Sequence, residues 1–248
     1  MRIKDKVAIV TGAGAGIGKA SALLFAEKGA KVLCNDISNT GSTTVEEIKS
    51  KGKEAIFIQG DISEPVTIQE IIDTAIKKYN RIDIVFNNAG IVIPGKAEDT
   101  SVKVWDRVMK VNVRSVFLMS KISLPHLIKT KGCIINNSSC AAIKGMKNRF
   151  AYSASKGAIL SMTRAMAADY IKSGVRVNAI CPGVVDSPSF QQRVASSDEP
   201  EKALAKFISM QPLGRISNPQ EIAESVLFLV NSEYCVGTCL SIDGGISM

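Results

Sequence analysis

"VAIVTGAGAGIGKASALLFAEKGAKVLCND" (residues 7–36) decides the fold. Four consecutive apolar residues lead into a glycine-rich turn and a segment of helical period. A second apolar run follows and closes on Asp36. This is the pattern of a strand, a crossover helix and a parallel strand, and consecutive apolar positions mark a strand covered on both faces. The turn itself, "TGAGAGIG" (11–18), does not fit G-x-G-x-x-G: a pattern started at Gly12 meets Ile17, and one started at Gly14 meets Lys19. Its outer glycines, Gly12, Gly16 and Gly18, fall as G-x-x-x-G-x-G. The physics of the shorter fingerprint still applies. Gly12 permits a tight exit from the strand, and Gly16 lets a pyrophosphate approach the backbone. Gly18 lets the helix pack on the sheet, with free N–H groups and the helix dipole turned to the anion. A plain strand-to-helix turn is the competing reading, and the rest of the chain has to separate the two.

Six more apolar runs read as strands: "KVLC" (31–34), "AIFI" (55–58), "IDIVF" (82–86), "CIIN" (133–136), "VRVNAI" (175–180) and "CLSI" (239–242). Helices fill the intervals. Ile68, Ile71, Ile72, Ala75 and Ile76 form one apolar stripe. Asn218 as N-cap, Pro219 at N1 and Glu221 at N3 start another helix by capping-box logic. The expectation is an α/β domain with a doubly wound, seven-stranded parallel sheet and helices on both faces. No linker, charge block or repeat divides the chain, so residues 1–248 read as one domain. In such sheets ligands bind beyond the carboxyl ends of the strands, which makes the residues after each apolar run the suspects.

Those positions carry a consistent chemistry. Asp36 follows Gly18 by about 20 residues, the distance expected of an acidic residue that binds an adenosine ribose. Its carboxylate would accept from the 2′ and 3′ hydroxyls and repel a 2′-phosphate. Neutral Ile37 follows with no arginine beside it, which favours NAD over NADP. The alternative for Asp36 is a helix N-cap. "QGDIS" (59–63) ends the third run with Asp61, a candidate acceptor from an adenine amino group. "NNAG" (87–90) ends the fourth, and its small Ala89 and Gly90 would let a cofactor lie against backbone. Either alone reads as a turn.

"YSASK" (152–156) sets Tyr152 and Lys156 at i and i+4, on one face of a helix. The bare pattern recurs by chance, but Ser139 stands at the end of the strand "IINNSS" and Asn112 lies in the helical segment "VWDRVMKVNVRSVFLMSK". A phenol titrates near ~10. A neighbouring ammonium favours the phenolate, so Lys156 is expected to bring Tyr152 toward the range of an acid/base catalyst. Lys156 could also bind the nicotinamide ribose and Ser139 could hydrogen-bond the substrate oxygen. The Asn112 carbonyl or side chain could hold a water linking Lys156 to solvent. Tyr152 would remove the hydroxyl proton of a secondary alcohol as hydride leaves carbon. The sole histidine, His126, has no triad partner and reads as a helix-surface residue, so no metal or histidine mechanism is expected.

Composition bounds the rest. A net charge of +8 invites nucleic acid, yet the lysines are dispersed, with Lys49, Lys77, Lys78 and Lys129 near expected helix ends, where they complement the helix dipole. No basic run interleaved with aromatics supports nucleic-acid binding. The six cysteines form no C-x-x-C and no ligand cluster, and read as reduced thiols. No stretch approaches the ~20 apolar residues of a membrane span. The first apolar run begins within a few residues of the start, with no signal-peptide core. The expectation is a cytoplasmic protein with a small-molecule substrate and no membrane partner.

Together these positions resemble the classical short-chain dehydrogenase/reductase family, essentially from end to end. T-G-x-x-x-G-I-G at 11–18, N-N-A-G at 87–90, Asn112, Ser139, Tyr152, Lys156, "PG" at 182–183 and "IDGG" at 242–245 all match. The resemblance implies a Rossmann-type fold, nicotinamide-dependent redox chemistry and commonly a homotetramer, which packs the long helices around Asn112 and Tyr152 and the C-terminal strand and helix between subunits. It implies catalysis by Asn112, Ser139, Tyr152 and Lys156. It adds cofactor contacts at Ile17, Ile37, Ile62, Asn88, Pro182, Gly183 and Val185 to those at Gly12, Gly16, Gly18, Asp36, Asp61, Ala89 and Gly90. Ser187 stands where the family usually has a threonine that contacts the nicotinamide amide, and it retains the hydroxyl.

A narrower resemblance lies in "NVRSVFLM", "NRFAYSASK" and "CPGVVDSPSFQQR". These are similar to the branch of cytosolic 3-hydroxybutyrate dehydrogenase type 2 and bacterial 2-keto-3-deoxy-L-fuconate or -rhamnonate dehydrogenases. The branch acts on small hydroxy or keto acids whose carboxylate meets arginines, and Arg149 and Arg193 match two such positions. A planar guanidinium suits that task. A third basic position of the branch is Met210 in this chain. Arg193 could instead be a solvated residue on a mobile helix, Arg149 could bond a backbone carbonyl, and Arg215 reads as structural. Residues 187–213 read as a lid that closes over substrate. The runner-up activity is a 3-oxoacyl-[acyl-carrier-protein] reductase, against which Asp36 speaks. The reading from another class is a catalytically silent nucleotide-sensing scaffold.

Overall fold

The computed structural model describes residues 3–248. Seven strands build one parallel sheet: β1 (Val7–Thr11), β2 (Lys31–Asp36), β3 (Ala55–Gln59), β4 (Ile84–Asn87), β5 (Cys133–Asn137), β6 (Arg176–Pro182) and β7 (Cys239–Ile242). Their order is β3-β2-β1-β4-β5-β6-β7, so the direction of progression reverses between β1 and β4. The doubly wound Rossmann-like sheet expected from the sequence is the sheet observed.

Alternation along β1 shows why its residues read as an unbroken apolar run. Ala8 and Val10 face a core that includes Phe25, Phe86, Ile222 and Leu229. Val7 and Ile9 face the opposite core with Ile68, Ile71, Met119 and Leu127. The first core is covered by α1 (Gly16–Glu27) and α9 (Pro219–Asn231), and the second by α3 (Pro65–Tyr79) and α5 (Ser115–Thr130). The stripe expected on α3 is buried at Ile68, Ile71, Ile72 and Ala75, and Ile76 is partly buried. A further helix, α2 (Thr40–Ser50), joins β2 to β3, while α4 (Val102–Met109) precedes α5 and α6 (Phe150–Tyr170) carries Tyr152 and Lys156.

Buried charges act as ties. Asp83, fully buried, accepts from the Val7 N–H and pairs with Arg81 and Lys6. Arg176 donates to the carbonyls of Leu229, Val230 and Ser232, so that β6 binds the C-terminal end of α9. The expected capping box at Asn218 and Glu221 is present, and Arg215 bonds Glu221, whose carboxyl this guanidinium pulls down to about 2. His126 is half-buried on α5, and burial pushes its imidazole down. Among the described residues no helix is long and apolar enough to cross a membrane.

Between β6 and α9 the chain makes an excursion through α7 (Pro188–Ala195) and α8 (Pro200–Ser209), whose Phe190 and Phe207 rings meet edge to face at 5.1 Å. The excursion leaves and returns at one point, where Val185 and Ser217 form a parallel bridge. The Asp186 N–H donates to the Ser217 carbonyl at 2.8 Å, and the Ser217 N–H to the Val184 carbonyl at 3.0 Å.

Candidate active site

A cavity of about 710 Å³ opens at the carboxyl ends of the strands, bounded by the β1, β2, β4, β5 and β6 ends and by α7. Gly12 and Gly16 line it with left-handed φ of 64° and 52°. A Cβ on Gly12 would stand 3.1 Å from Ala89 Cα, and one on Gly16 would stand 3.1 Å from Ser187 Cβ across the cleft. Helix α1 begins at Gly16, so its N-terminus faces the cavity. Gly18 does not line it. A Cβ there would lie 2.0 Å from the Gly12 carbonyl oxygen, so its role is the close packing of α1 on the turn.

Asp36 lines the cavity at the end of β2. Its Oδ2 accepts from the Gly14 N–H and its Oδ1 from the Ser38 N–H, each at 2.9 Å. The helix-cap alternative fails, because α2 starts at Thr40 after Asn39. Exposed Ile37 lies beside Asp36, and Asp61 and Ile62 line the same end. The "NNAG" segment is sewn to the glycine turn: Thr11 Oγ1 accepts from the N–H groups of Asn88 and Ala89, and Asn88 Nδ2 donates to the Thr11 and Gly12 carbonyls. Pro182, Gly183, Val185, Ser187 and Ile17 complete the walls from β6 and α1. An extended groove with a helix N-terminus and a carboxylate at one end could hold a dinucleotide, with its pyrophosphate at Gly16 and a ribose at Asp36.

The other end holds Tyr152, Lys156 and Ser139. Lys156 and Tyr152 share one face of α6, and the Lys156 Nζ lies 5.6 Å from the phenol ring centroid. Lys156 is buried and donates to the Asn137 carbonyl at 2.7 Å. Ser139 caps a short turn by accepting from the Ala141 N–H, and it lines the cavity together with Tyr152. The expectation that the ammonium lowers the phenol is not met in this setting. Burial dominates and pushes Tyr152 up, opposed by the Ser139 hydroxyl and by the positive charges of Arg193 and Arg149. The same burial pushes Lys156 down to about 8.

Asn112 does not line the cavity. It sits behind Gly90, where an added Cβ would be 3.2 Å from Asn112 Oδ1 and 3.5 Å from Lys156 Nζ. It lies on a single π turn, Lys110–Arg114, between α4 and α5. Its side chain bonds two protein partners, Ile91 and Ser155.

Arg149 and Arg193 both line the cavity near Tyr152, and neither joins an ion pair among the described residues. Arg149 also donates to the Asn148 carbonyl, as the alternative reading foresaw. Arg193 is not simply solvated: its guanidinium lies 5.9 Å from the Phe190 ring centroid, and its buried Nε has no hydrogen-bond partner. Burial and the charge of Arg149 push its pKa down. Arg107, Lys110, Val92, Cys140, Met146 and Phe207 also line the cavity and were not singled out in the sequence. The available signal was helical spacing for two of them, since Arg107 and Lys110 precede Asn112 on its own helical segment. Among the described residues no group of His, Cys, Asp and Glu is placed to hold a metal ion.

Comparison with known proteins agrees with this geometry. The family model described as "Enoyl-(Acyl carrier protein) reductase" matches residues 12–247. An uncharacterized oxidoreductase of Thermotoga maritima is 44% identical, over 99% of this chain and 98% of its own. The dehydrogenase/reductase SDR family member 6 of Rattus norvegicus is 41% identical, over 100% of this chain and 99% of its own. Among solved structures, the 3-ketoacyl-(acyl-carrier-protein) reductase of Brucella melitensis, complexed with NADH, superposes with a TM-score of 0.90 at 32% identity, covering 99% of this chain and 100% of that one.

Proposed function

This chain belongs to the short-chain dehydrogenase/reductase family, and on that premise we propose that it is an NAD-dependent dehydrogenase interconverting a secondary alcohol and a ketone on a small hydroxy acid or sugar acid. The family's chemistry is oxidoreduction at CH–OH and keto groups with a nicotinamide dinucleotide. One observation carries the reading: the Tyr152 phenol stands in one cavity with Ser139, Lys156 and two arginines that no carboxylate of the described residues neutralises.

When bound, the dinucleotide supplies a hydride acceptor or donor at its nicotinamide. The residues to hold it are Gly12, Gly16, Ile17, Asp36, Ile37, Asp61, Ile62, Asn88, Ala89, Gly90, Pro182, Gly183, Val185 and Ser187. Tyr152 Oη takes the proton from the substrate hydroxyl, or returns it to the ketone oxygen. Ser139 Oγ donates to that same oxygen and holds it within reach. Lys156 would bind the nicotinamide ribose and relay the proton: its amine accepts the proton that the Tyr152 phenol releases in oxidation, and its ammonium supplies the one that Tyr152 gives up in reduction. Arg149 and Arg193 take the substrate carboxylate, and a bound anion offsets both the burial that depresses Arg193 and the repulsion from Arg149 that adds to it. Asp36 supports NAD, because a 2′-phosphate would meet a carboxylate already fixed by two N–H groups. Helices α7 and α8 act as a lid, supported by the placement of Arg193 and Phe207 in the cavity wall.

The reading extends to a homotetramer, supported by the exposed Phe117 on α5, Phe150 on α6 and Phe228 on α9. It also includes a cytoplasmic location, supported by six free cysteines, four of them buried. Sedimentation at micromolar concentration tests the assembly, and a monomer there refutes it.

The deciding experiment is a turnover screen with NAD⁺ and NADP⁺ against 3-hydroxybutyrate, sugar acids, diols and free sugars. Turnover with NAD⁺ on an acid is expected, and Tyr152→Phe should lower it by about 10²–10⁴-fold while sparing NADH binding. Retained turnover in Tyr152→Phe, or activity confined to NADPH and a 3-oxoacyl carrier protein, would overturn the assignment.

A further inference from the structure

The hydrogen bonds around Asn112 include a residue to which the chemistry above gives no part. Ser155 is fully buried on α6, between Tyr152 and Lys156. Its Oγ accepts from Asn112 Nδ2 at 3.0 Å and donates to the Tyr152 carbonyl at 2.7 Å. The remaining Asn112 contacts go to Ile91: Oδ1 accepts from the Ile91 N–H at 2.8 Å, and Nδ2 donates to the Ile91 carbonyl at 3.0 Å. Both amide protons and one acceptor site of the oxygen are therefore used, which fixes the orientation of the carboxamide.

A buried helical serine often does no more than bond a carbonyl three or four residues back, as Ser42 and Ser50 do at exposed positions. Ser155 differs in accepting from a second helical segment as well. It stands where three pieces of the site meet: the π turn, the Asn88–Ile91 segment that walls the cleft, and the first turn of α6 that presents Tyr152. Misplacement of a reacting group by about 1 Å can cost about 10²-fold in rate, so a link of this kind bears on turnover without touching substrate.

We propose that Ser155 is a positioning residue that locks Asn112 to the first turn of α6 and thereby fixes Tyr152 and Lys156 against the Asn88–Ile91 wall. The inference rests on the dehydrogenase reading given above.

The test uses the full chain with NAD⁺ and either racemic 3-hydroxybutyrate or meso-2,3-butanediol, whichever the wild type turns over faster. Ser155→Ala should melt near the wild type and bind NADH, read by fluorescence, within about two-fold, while kcat falls about ten-fold at little-changed KM. Ser155→Cys fills the same space with a poor hydrogen-bond donor and should show the same loss, which keeps the question open to test if the alanine variant fails to fold. If Ser155 acts through Asn112, Asn112→Ala/Ser155→Ala should be no slower than Asn112→Ala. Losses that multiply in the double variant, or wild-type kcat in both single variants, would overturn the inference and leave the dehydrogenase reading intact. If neither probe is turned over, the fastest substrate of the screen above takes its place, and no wild-type turnover across that whole screen would remove both.

Discussion

Lys156 shows at the scale of one residue how the proposed function opposes stability. Its ammonium is held in a buried place that pushes it from the ordinary lysine range down to about 8, burial being the main cause. A base whose folded pKa is depressed destabilises the fold fully below that value. The penalty fades as pH rises toward the unfolded value near ~10.4, because there the unfolded chain binds the extra proton. Lys156→Met should therefore melt higher than the wild type at pH 7, by about 1–3 kcal/mol, with the gap closing toward pH 10 while turnover is lost. A melting difference that widens with pH would contradict this. Asp36 makes a second prediction of the same scale. Asp36→Ala should raise KM for NAD⁺ by about ten-fold and narrow the preference over NADP⁺, because the ribose loses its acceptor and a 2′-phosphate loses its opponent. Steady-state kinetics with both cofactors reads it directly. The expected influence of Lys156 on Tyr152 was misjudged from sequence for a physical reason: i, i+4 spacing reveals proximity, whereas the sign of the phenol's shift depends on burial, which spacing does not reveal.

Elements were legible where periodicity had two faces to satisfy. All seven strands lie where the apolar runs place them, the inner ones because they are covered on both sides, and the capping box at Asn218 is visible in its own letters. The π turn at Lys110–Arg114 was not. Its signature is a slip in hydrogen-bond register, with the Ser115 N–H donating to Lys110 five residues back while the Ser115 hydroxyl reaches the Val111 carbonyl at 2.5 Å. Nothing in side-chain spacing records such a slip. Cys140 and Met146 escaped notice because the stretch between β5 and α6 is irregular and carries no period. The strand-to-helix turn yields its own test. Replacing glycine by alanine inside a helix ordinarily stabilises by up to ~1 kcal/mol. At Gly18 the sign reverses, since the new Cβ would stand 2.0 Å from the Gly12 carbonyl oxygen. Gly18→Ala should destabilise by about 1–3 kcal/mol and weaken NADH binding, measured by urea unfolding and fluorescence titration.

For the whole molecule, one guanidinium adds polar ties between the sheet and the last helix to the apolar packing of α9. Arg176 satisfies three carbonyls at the end of α9, so Arg176→Ala should cost about 2–4 kcal/mol, seen as a lower urea midpoint at unchanged slope. The excursion that carries Arg193 is organised differently. It departs from and rejoins the framework at the Val185–Ser217 bridge, so its two ends occupy neighbouring places in space. Arg149, by contrast, is bridged to Gly95, downstream on the chain that leaves the cofactor-side wall at Asn88–Gly90. The two arginines are thus open to different histories. On the reading proposed above, the stretch between Ser187 and the Ser217 bridge is the part that a relative's sequence could replace as a cassette, provided that the Leu213 N–H still meets the Gly244 carbonyl, and new substrates would be acquired there by recombination. Change around Arg149 must advance one substitution at a time, in step with the neighbouring cofactor wall.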